Sequence, residues 1–229
     1  MGPIKYELCS MKRVLPFLLP LVLLAGLGWM YVESGKPKNV FKELPILGNH
    51  RIDSTNTSKG IKRDTVFHRI PKFSFLNQDS TLITEQLVKG KVYVADYFFS
   101  TCQSICPIMS RQMERVHKAR PELMILSFTV DPENDTPRRL KQYAEEHGAT
   151  TGRWQFLTGG KPELYELARK GYLLDAREGD GGAEDFIHTQ NFALIDKGGR
   201  IRGYYDGTDS AEVSRLITDS GFLLKENAK

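Results

Sequence analysis

Cysteine is scarce in this chain, three among 229 residues, too few for a disulfide-dense mini-protein. The 20 Gly and 11 Pro form no periodic tract, which excludes a collagen-like repeat, and there is neither an internal repeat nor a low-complexity segment. An excess of one charge is missing from most of the chain. Residues 1–65 hold 10 Lys and Arg against 5 Asp and Glu, leaving 22 against 23 for the remainder. The net charge of +4 is therefore a property of the N-terminal segment, where an adjoining apolar run makes membrane orientation a better explanation than nucleic-acid binding. With 40% hydrophobic and 26% charged residues, the chain reads as one globular unit with appendages.

The apolar run is Val14 to Val32, without a charge. At about 1.5 Å per residue it spans close to the roughly 30 Å of a bilayer core. Its leucines, valines and phenylalanine favour insertion by about 3 to 7 kcal/mol, from which Pro16, Pro20, Gly26 and Gly28 subtract. Lys5, Lys12 and Arg13 keep the N-terminus in the cytoplasm by the positive-inside rule, although Lys36, Lys38 and Lys42 weaken the contrast. A cleaved signal peptide is the rival reading, yet Gly28-Trp29-Met30-Tyr31 resembles an interfacial aromatic anchor rather than a cleavage site. Cys9 precedes the run and is not placed as a lipoprotein cysteine would be. The organisation expected is a cytoplasmic tail over 1–13, a transmembrane anchor over 14–32, a polar tether over 33–65 and a folded domain over 66–229. That domain would face the periplasmic or extracytoplasmic side of the inner membrane.

Within the domain, Phe73 to Phe75 alternates as a short strand, Lys91 to Phe99 reads as a buried central strand, and Arg111 to Arg120 as a helix. Leu123 to Val130 is a second buried strand, followed by a charged amphipathic helix over Thr136 to His147, stopped by Gly148. Trp154 to Leu157 reads as a strand, Pro162 to Lys170 as a helix, Asn191 to Ile195 as a strand turning through Lys197-Gly198-Gly199 into Ile201 to Tyr205, and Ser210 to Gly221 as a closing helix. Strands alternating with helices and ending in a hairpin give an α/β fold, a mixed sheet with helices on both faces.

Chemistry concentrates at Ser100-Thr101-Cys102-Gln103-Ser104-Ile105-Cys106-Pro107, between the first long strand and a helix. Cysteines at i and i+4 project to the same side of a helical first turn, and free backbone N–H groups there stabilise thiolates. Two such thiolates close to a disulfide by exchange or hold a soft metal such as Cu(I); a plain structural pair is the bland alternative. Structural zinc is disfavoured because the folded part has no further cysteine. A peroxidase would need a hydroxyl three residues before its reactive Cys, and positions 99 and 103 are Phe and Gln.

The stretch from Pro71 to Pro107, with Pro-Lys-Phe-Ser-Phe-Leu-Asn-Gln-Asp-Ser, Gly90-Lys91 and Cys-x3-Cys-Pro, resembles the Sco/SenC family of membrane-anchored copper proteins with a thioredoxin-like fold. Val130-Asp131-Pro132-Glu133-Asn134-Asp135-Thr136-Pro137 is similar to that family's acid-Pro segment, and Phe186-Ile187-His188 follows an acidic loop as the family's histidine ligand does. The resemblance spans roughly residues 66–225. It implies Cys102, Cys106 and His188 as ligands of copper, Cu(I) or Cu(II), with Asp131 as a supporting carboxylate. It also implies a copper-binding assembly factor for the binuclear copper centre of cytochrome c oxidase, with the copper-bearing subunit as partner, alongside a thiol reductant and a copper donor. A thiol-disulfide oxidoreductase acting on partner cysteines is the alternative.

Read residue by residue, His188 is either a ligand or a satisfied loop histidine. His50 and His68 fall in or near the tether, His117 lies on a helix, and His147 suits a helix C-terminus. Met109 and Met113 could be soft ligands but at i+3 and i+7 from Cys106 read as core. The acidic loop Asp175 to Asp185 is either a docking surface for a basic partner or a solvated connection.

Overall fold

The computed structural model describes residues 26, 43–57, 60–150, 152–174 and 189–226, and the chain divides into two units, residues 1–42 and 43–229. Apart from Gly26, the apolar run over 14–32 lies outside the described residues, among which no helix is long and apolar enough to cross a membrane. The second unit carries the fold.

Its strands are β1 (His50–Thr57), β2 (Gly60–Phe67), β3 (Ser74–Asn77), β4 (Leu82–Thr84), β5 (Tyr93–Phe98), β6 (Met124–Thr129), β7 (Trp154–Thr158), β8 (Asn191–Ile195) and β9 (Ile201–Asp206). The helices are α1 (Cys106–Ala119), α2 (Pro137–Glu146), α3 (Lys161–Glu166), which continues as a π-helical turn over Leu167–Gly171, and α4 (Ser210–Lys225). Seven strands form one sheet in the order β4-β3-β7-β6-β5-β8-β9. β5, β6 and β7 are parallel, joined by crossovers through α1 and α2, while β3 and β8 flank them antiparallel. This is the mixed sheet with helices on both faces that the alternation of elements implies, and it is thioredoxin-like, as the family resemblance implies.

All six residues of β5 and all six of β6 are buried, as expected of strands covered on both faces. One core packs Leu126, Phe128, Tyr165 and Tyr172 under α3. The other packs Met109, Met113, Leu140, Trp154, Phe156 and Leu216 under α1, α2 and α4. The methionines that could have been ligands are thus core residues, 1% and 0% exposed. Thr136 caps α2 through a bond from the Arg139 N–H, Pro137 takes the first turn, and Gly148 follows at φ +63°, the left-handed stop that glycine supplies cheaply.

Three boundaries differ from the sequence reading. Residues 33–65 read as a tether, but the folded unit starts at Glu43 and His50–Thr57 pairs antiparallel with Gly60–Phe67. Ile52 and Ile61 of the ribbon are in solvent, at 64% and 66% exposure, so they give none of the buried alternation by which strands are recognised. Helix α1 starts at Cys106, five residues before the expected Arg111, and its buried stripe of Cys106, Met109, Met113 and Val116 begins at that residue. Helix α4 runs on to Lys225, where Leu223 still faces the core.

Candidate metal and thiol site

β5 is the strand from which the sheet is wound in two directions: the α1 and α2 crossovers lead away through β6 and β7, while β8 lies on its other side. The crevice beyond the carboxyl end of such a strand is where α/β sheets place their sites. The cysteine loop leaves β5 at this end. Because β8 runs antiparallel to β5, with Ala95 opposite Ala193 and Tyr93 opposite Ile195, the chain enters β8 at the same end.

Cys106 is the first residue of α1 and is buried at 4% exposure, whereas Cys102 is half-buried; both are free thiols. The N-cap of α1, Ile105, makes no side-chain capping bond. The Cys102 sulfur takes that place. It accepts from the backbone N–H groups of Cys106 and Ser104, and meets the hydroxyl of Ser104 at 3.5 Å and the Cys106 thiol. Burial pushes the Cys102 thiol up, but these hydrogen bonds, that of Ser104 first, more than offset it and bring it down to about 7. Cys106 goes the other way. Burial pushes it up to about 12, and its hydrogen bond to Cys102 and the negative charges of Cys102 and Asp96 add to the rise. One sulfur is therefore poised to be a thiolate at neutral pH and its partner is held as a thiol.

Asp131, the expected supporting carboxylate, bonds within its own turn: its N–H donates to Thr129 Oγ1 at 2.9 Å and its Oδ2 accepts from Asn134 Nδ2 at 2.9 Å. The carboxyl that reaches the cysteine loop is Asp135, 0% exposed, which accepts from the N–H and hydroxyl of Ser100. Asp131 is the carboxylate that the family resemblance implies. The available signal for Asp135 was its position just before the Thr136-Pro137 helix start, at the carboxyl end of the strand paired in parallel with β5. A second unread carboxyl is Asp96 in the middle of β5, pushed up to about 7 by burial although Ser127 donates a hydrogen bond to it.

His188 and the acidic loop Asp175 to Asp185 lie outside the described residues. The other histidines have structural partners or open positions. His68 Nε2 meets Gly171 O at 2.7 Å, His117 packs against Trp154 and meets Thr150 Oγ1, His147 bonds Glu114, and His50 is exposed. Among the described residues no group of three or more His, Cys, Asp and Glu side chains forms a metal cluster; two adjacent thiols are what the described part offers a soft ion.

The protein-family model described as SCO1/SenC matches residues 62–219. A SCO1 protein homolog of Bacillus subtilis is 32% identical over 162 residues, covering 69% of this chain and 83% of that protein. Among solved structures, a SCO1/SenC family lipoprotein from Bacillus anthracis is 30% identical at a TM-score of 0.60, covering 69% of this chain and 95% of that one. BsSco, a member of the Sco family of cytochrome c oxidase assembly proteins in which a disulfide switch has been identified, is 31% identical at a TM-score of 0.60, covering 70% and 95%. The match to the family model across most of the chain, together with relatives at this identity that share the fold, establishes that the chain belongs to the SCO1/SenC family.

Proposed function

We propose that the protein carries copper as cargo between Cys102, Cys106 and His188 and serves the maturation of the binuclear copper centre of cytochrome c oxidase. The observation that carries this reading is the pair of free, mutually bonded thiols at the carboxyl end of β5, next to the entry into β8 that His188 precedes by three residues. Two thiolates and an imidazole make a low-coordinate set suited to Cu(I), and an added oxygen or water ligand suits Cu(II). Family membership and the description of BsSco as an oxidase assembly protein support the partner. The apolar run over 14–32 supports a single anchor in the inner membrane, with the domain on the extracytoplasmic side, where a dithiol can be oxidised.

The unequal thiols favour a second reading of the same loop. Cys102, down to about 7 and the more exposed, is the attacking thiol of a disulfide exchange, and buried Cys106 is the resolving one. In that exchange the Cys102 thiolate attacks a partner disulfide and expels one partner thiolate. Cys106 then displaces the other, leaving the partner reduced by two electrons and the Cys102–Cys106 pair oxidised.

Copper titration of ligand variants tests the first reading. Cys102→Ser and Cys106→Ser lose tight binding of both ions, whereas His188→Ala weakens Cu(II) most because the dithiolate still suits the softer ion. Unchanged stoichiometry in all three variants contradicts the site. A mixed disulfide trapped by Cys106→Ser but not by Cys102→Ser supports the exchange activity.

A further inference from the structure

We infer that Asp135 is the positioning residue of the dithiol loop: it fixes where Cys102 stands relative to Cys106. The inference rests on the reading that these two sulfurs are the working pair.

Ser100 is the second residue beyond β5 and lies two residues before Cys102. Its N–H donates to both oxygens of Asp135, at 3.3 and 3.2 Å, and its hydroxyl donates to Asp135 Oδ1. Asp135 Oδ2 also accepts from the Thr129 hydroxyl at the end of β6. Its own N–H bonds Asp131 O at 2.9 Å, closing the turn that leads into α2. In the first turn of that helix, Arg139 donates from Nε to Ser100 Oγ at 3.0 Å and from Nη2 to Ser100 O at 3.5 Å. The N–H, hydroxyl and carbonyl of Ser100 are thus held by the β6–α2 connection and the first turn of α2. A carboxyl group at 0% exposure is costly to bury unless its oxygens are satisfied, and here the loop's take-off residue supplies the donors.

The chemical consequence follows from where each sulfur is attached. Cys106 is built into α1 and buried, so its position is set by helix packing. Cys102 is on the loop, and its distance from Cys106 depends on how Ser100 is held. Disulfide closure depends on the effective concentration of one thiol at the other, and shared ligation of a metal depends on both sulfurs standing at ligand distance. Releasing Ser100 lowers both without altering either sulfur.

The test is the equilibrium of the Cys102–Cys106 pair with a glutathione redox buffer, measured without copper on the full chain in detergent and in a Cys9→Ser background, with circular dichroism to establish folding. Asp135→Ala is expected to lower the closure constant about tenfold, the effect of losing one or two buried hydrogen bonds to the loop. Asp135→Asn, which retains a carbonyl acceptor for the Ser100 N–H, is expected to recover it to within about threefold of the parent. A folded Asp135→Ala protein whose constant matches the parent overturns the inference. Should Asp135→Ala not fold, Ser100→Ala decides: a fall of about threefold supports the clamp, and an unchanged constant overturns it. A parent protein that does not close in glutathione overturns the clamp and the working-pair reading together. Failure of copper binding alone, with closure still lowered by Asp135→Ala, overturns only the copper reading.

Discussion

Cys102 and Cys106 are four residues apart and chemically opposite, because one sulfur caps a helix and the other is inside it. Their spacing was legible from the sequence, and so was their place between a buried strand and a helix. Their inequality was not, since it depends on Ser104 and on the depth at which α1 begins. The same holds for the carboxyls. The family resemblance implies Asp131 as a supporting carboxylate, with turn initiation before Pro132 as the plain alternative; Asp131 bonds within its local turn, and Asp135, four residues on, is folded against the loop. Asp96 could not be read at all, because one carboxyl within an apolar strand gives no pattern. Its environment makes a prediction with a definite sign. Burial holds its carboxyl up to about 7 in the folded state, above the ordinary carboxylate value of 3.8. Between these values the folded state holds a proton that the unfolded state has released. Stability from this group is therefore complete below pH 4 and is lost as pH rises through 7. Asp96→Asn, which keeps an acceptor for Ser127, is expected to stabilise the protein by about 2 to 4 kcal/mol at pH 8 and to have little effect near pH 4. Urea unfolding at the two pH values checks this; equal effects at both contradict it.

Elements were legible where burial imposes a period. β5, β6 and β8 are apolar runs covered on both faces, and α2 has a capping Thr and a terminal Gly, so each announces itself. The β1–β2 ribbon does not, because neither face of it is buried enough to filter its sequence, and β4, three residues long, is too short to show alternation. The difference has an energetic counterpart. Ile52→Thr and Ile61→Thr, at positions more than half exposed, are expected to change stability by less than about 0.5 kcal/mol. Met113→Ala, in α1 at 0% exposure, is expected to cost about 2 to 5 kcal/mol through lost transfer energy and a cavity. Denaturant midpoints on the three variants measure both; a ribbon substitution as costly as the core one would show that the ribbon is packed.

At the scale of the whole molecule, the folded unit starts at Glu43 rather than at the expected residue 66, and a buried ion-pair group ties that start down. Arg202, 3% exposed, bonds Asp196 and Glu226 and donates to the carbonyls of Leu44 and Pro45. It ties the start of the unit to the β8–β9 turn and to the end of α4. No periodicity reveals such a tie, since its partners are separated by up to 158 residues. Arg202→Ala leaves Asp196 with Arg200 as its ion-pair partner and removes the donors to the Leu44 and Pro45 carbonyls, and is expected to cost about 3 kcal/mol in urea unfolding; a loss under 0.5 kcal/mol would make the tie incidental. The sheet so assembled brings the cysteine loop and the start of β8 to one end, and the same two sulfurs would then serve both redox chemistry and copper. Thiolates tied up in a disulfide cannot ligate, so the two states exclude each other. The most direct measurement is copper stoichiometry by elemental analysis on the full chain in detergent, reduced and then oxidised to the Cys102–Cys106 disulfide. One tightly held copper per reduced chain and none per oxidised chain is the expected result; equal copper in both states would contradict ligation by these two sulfurs.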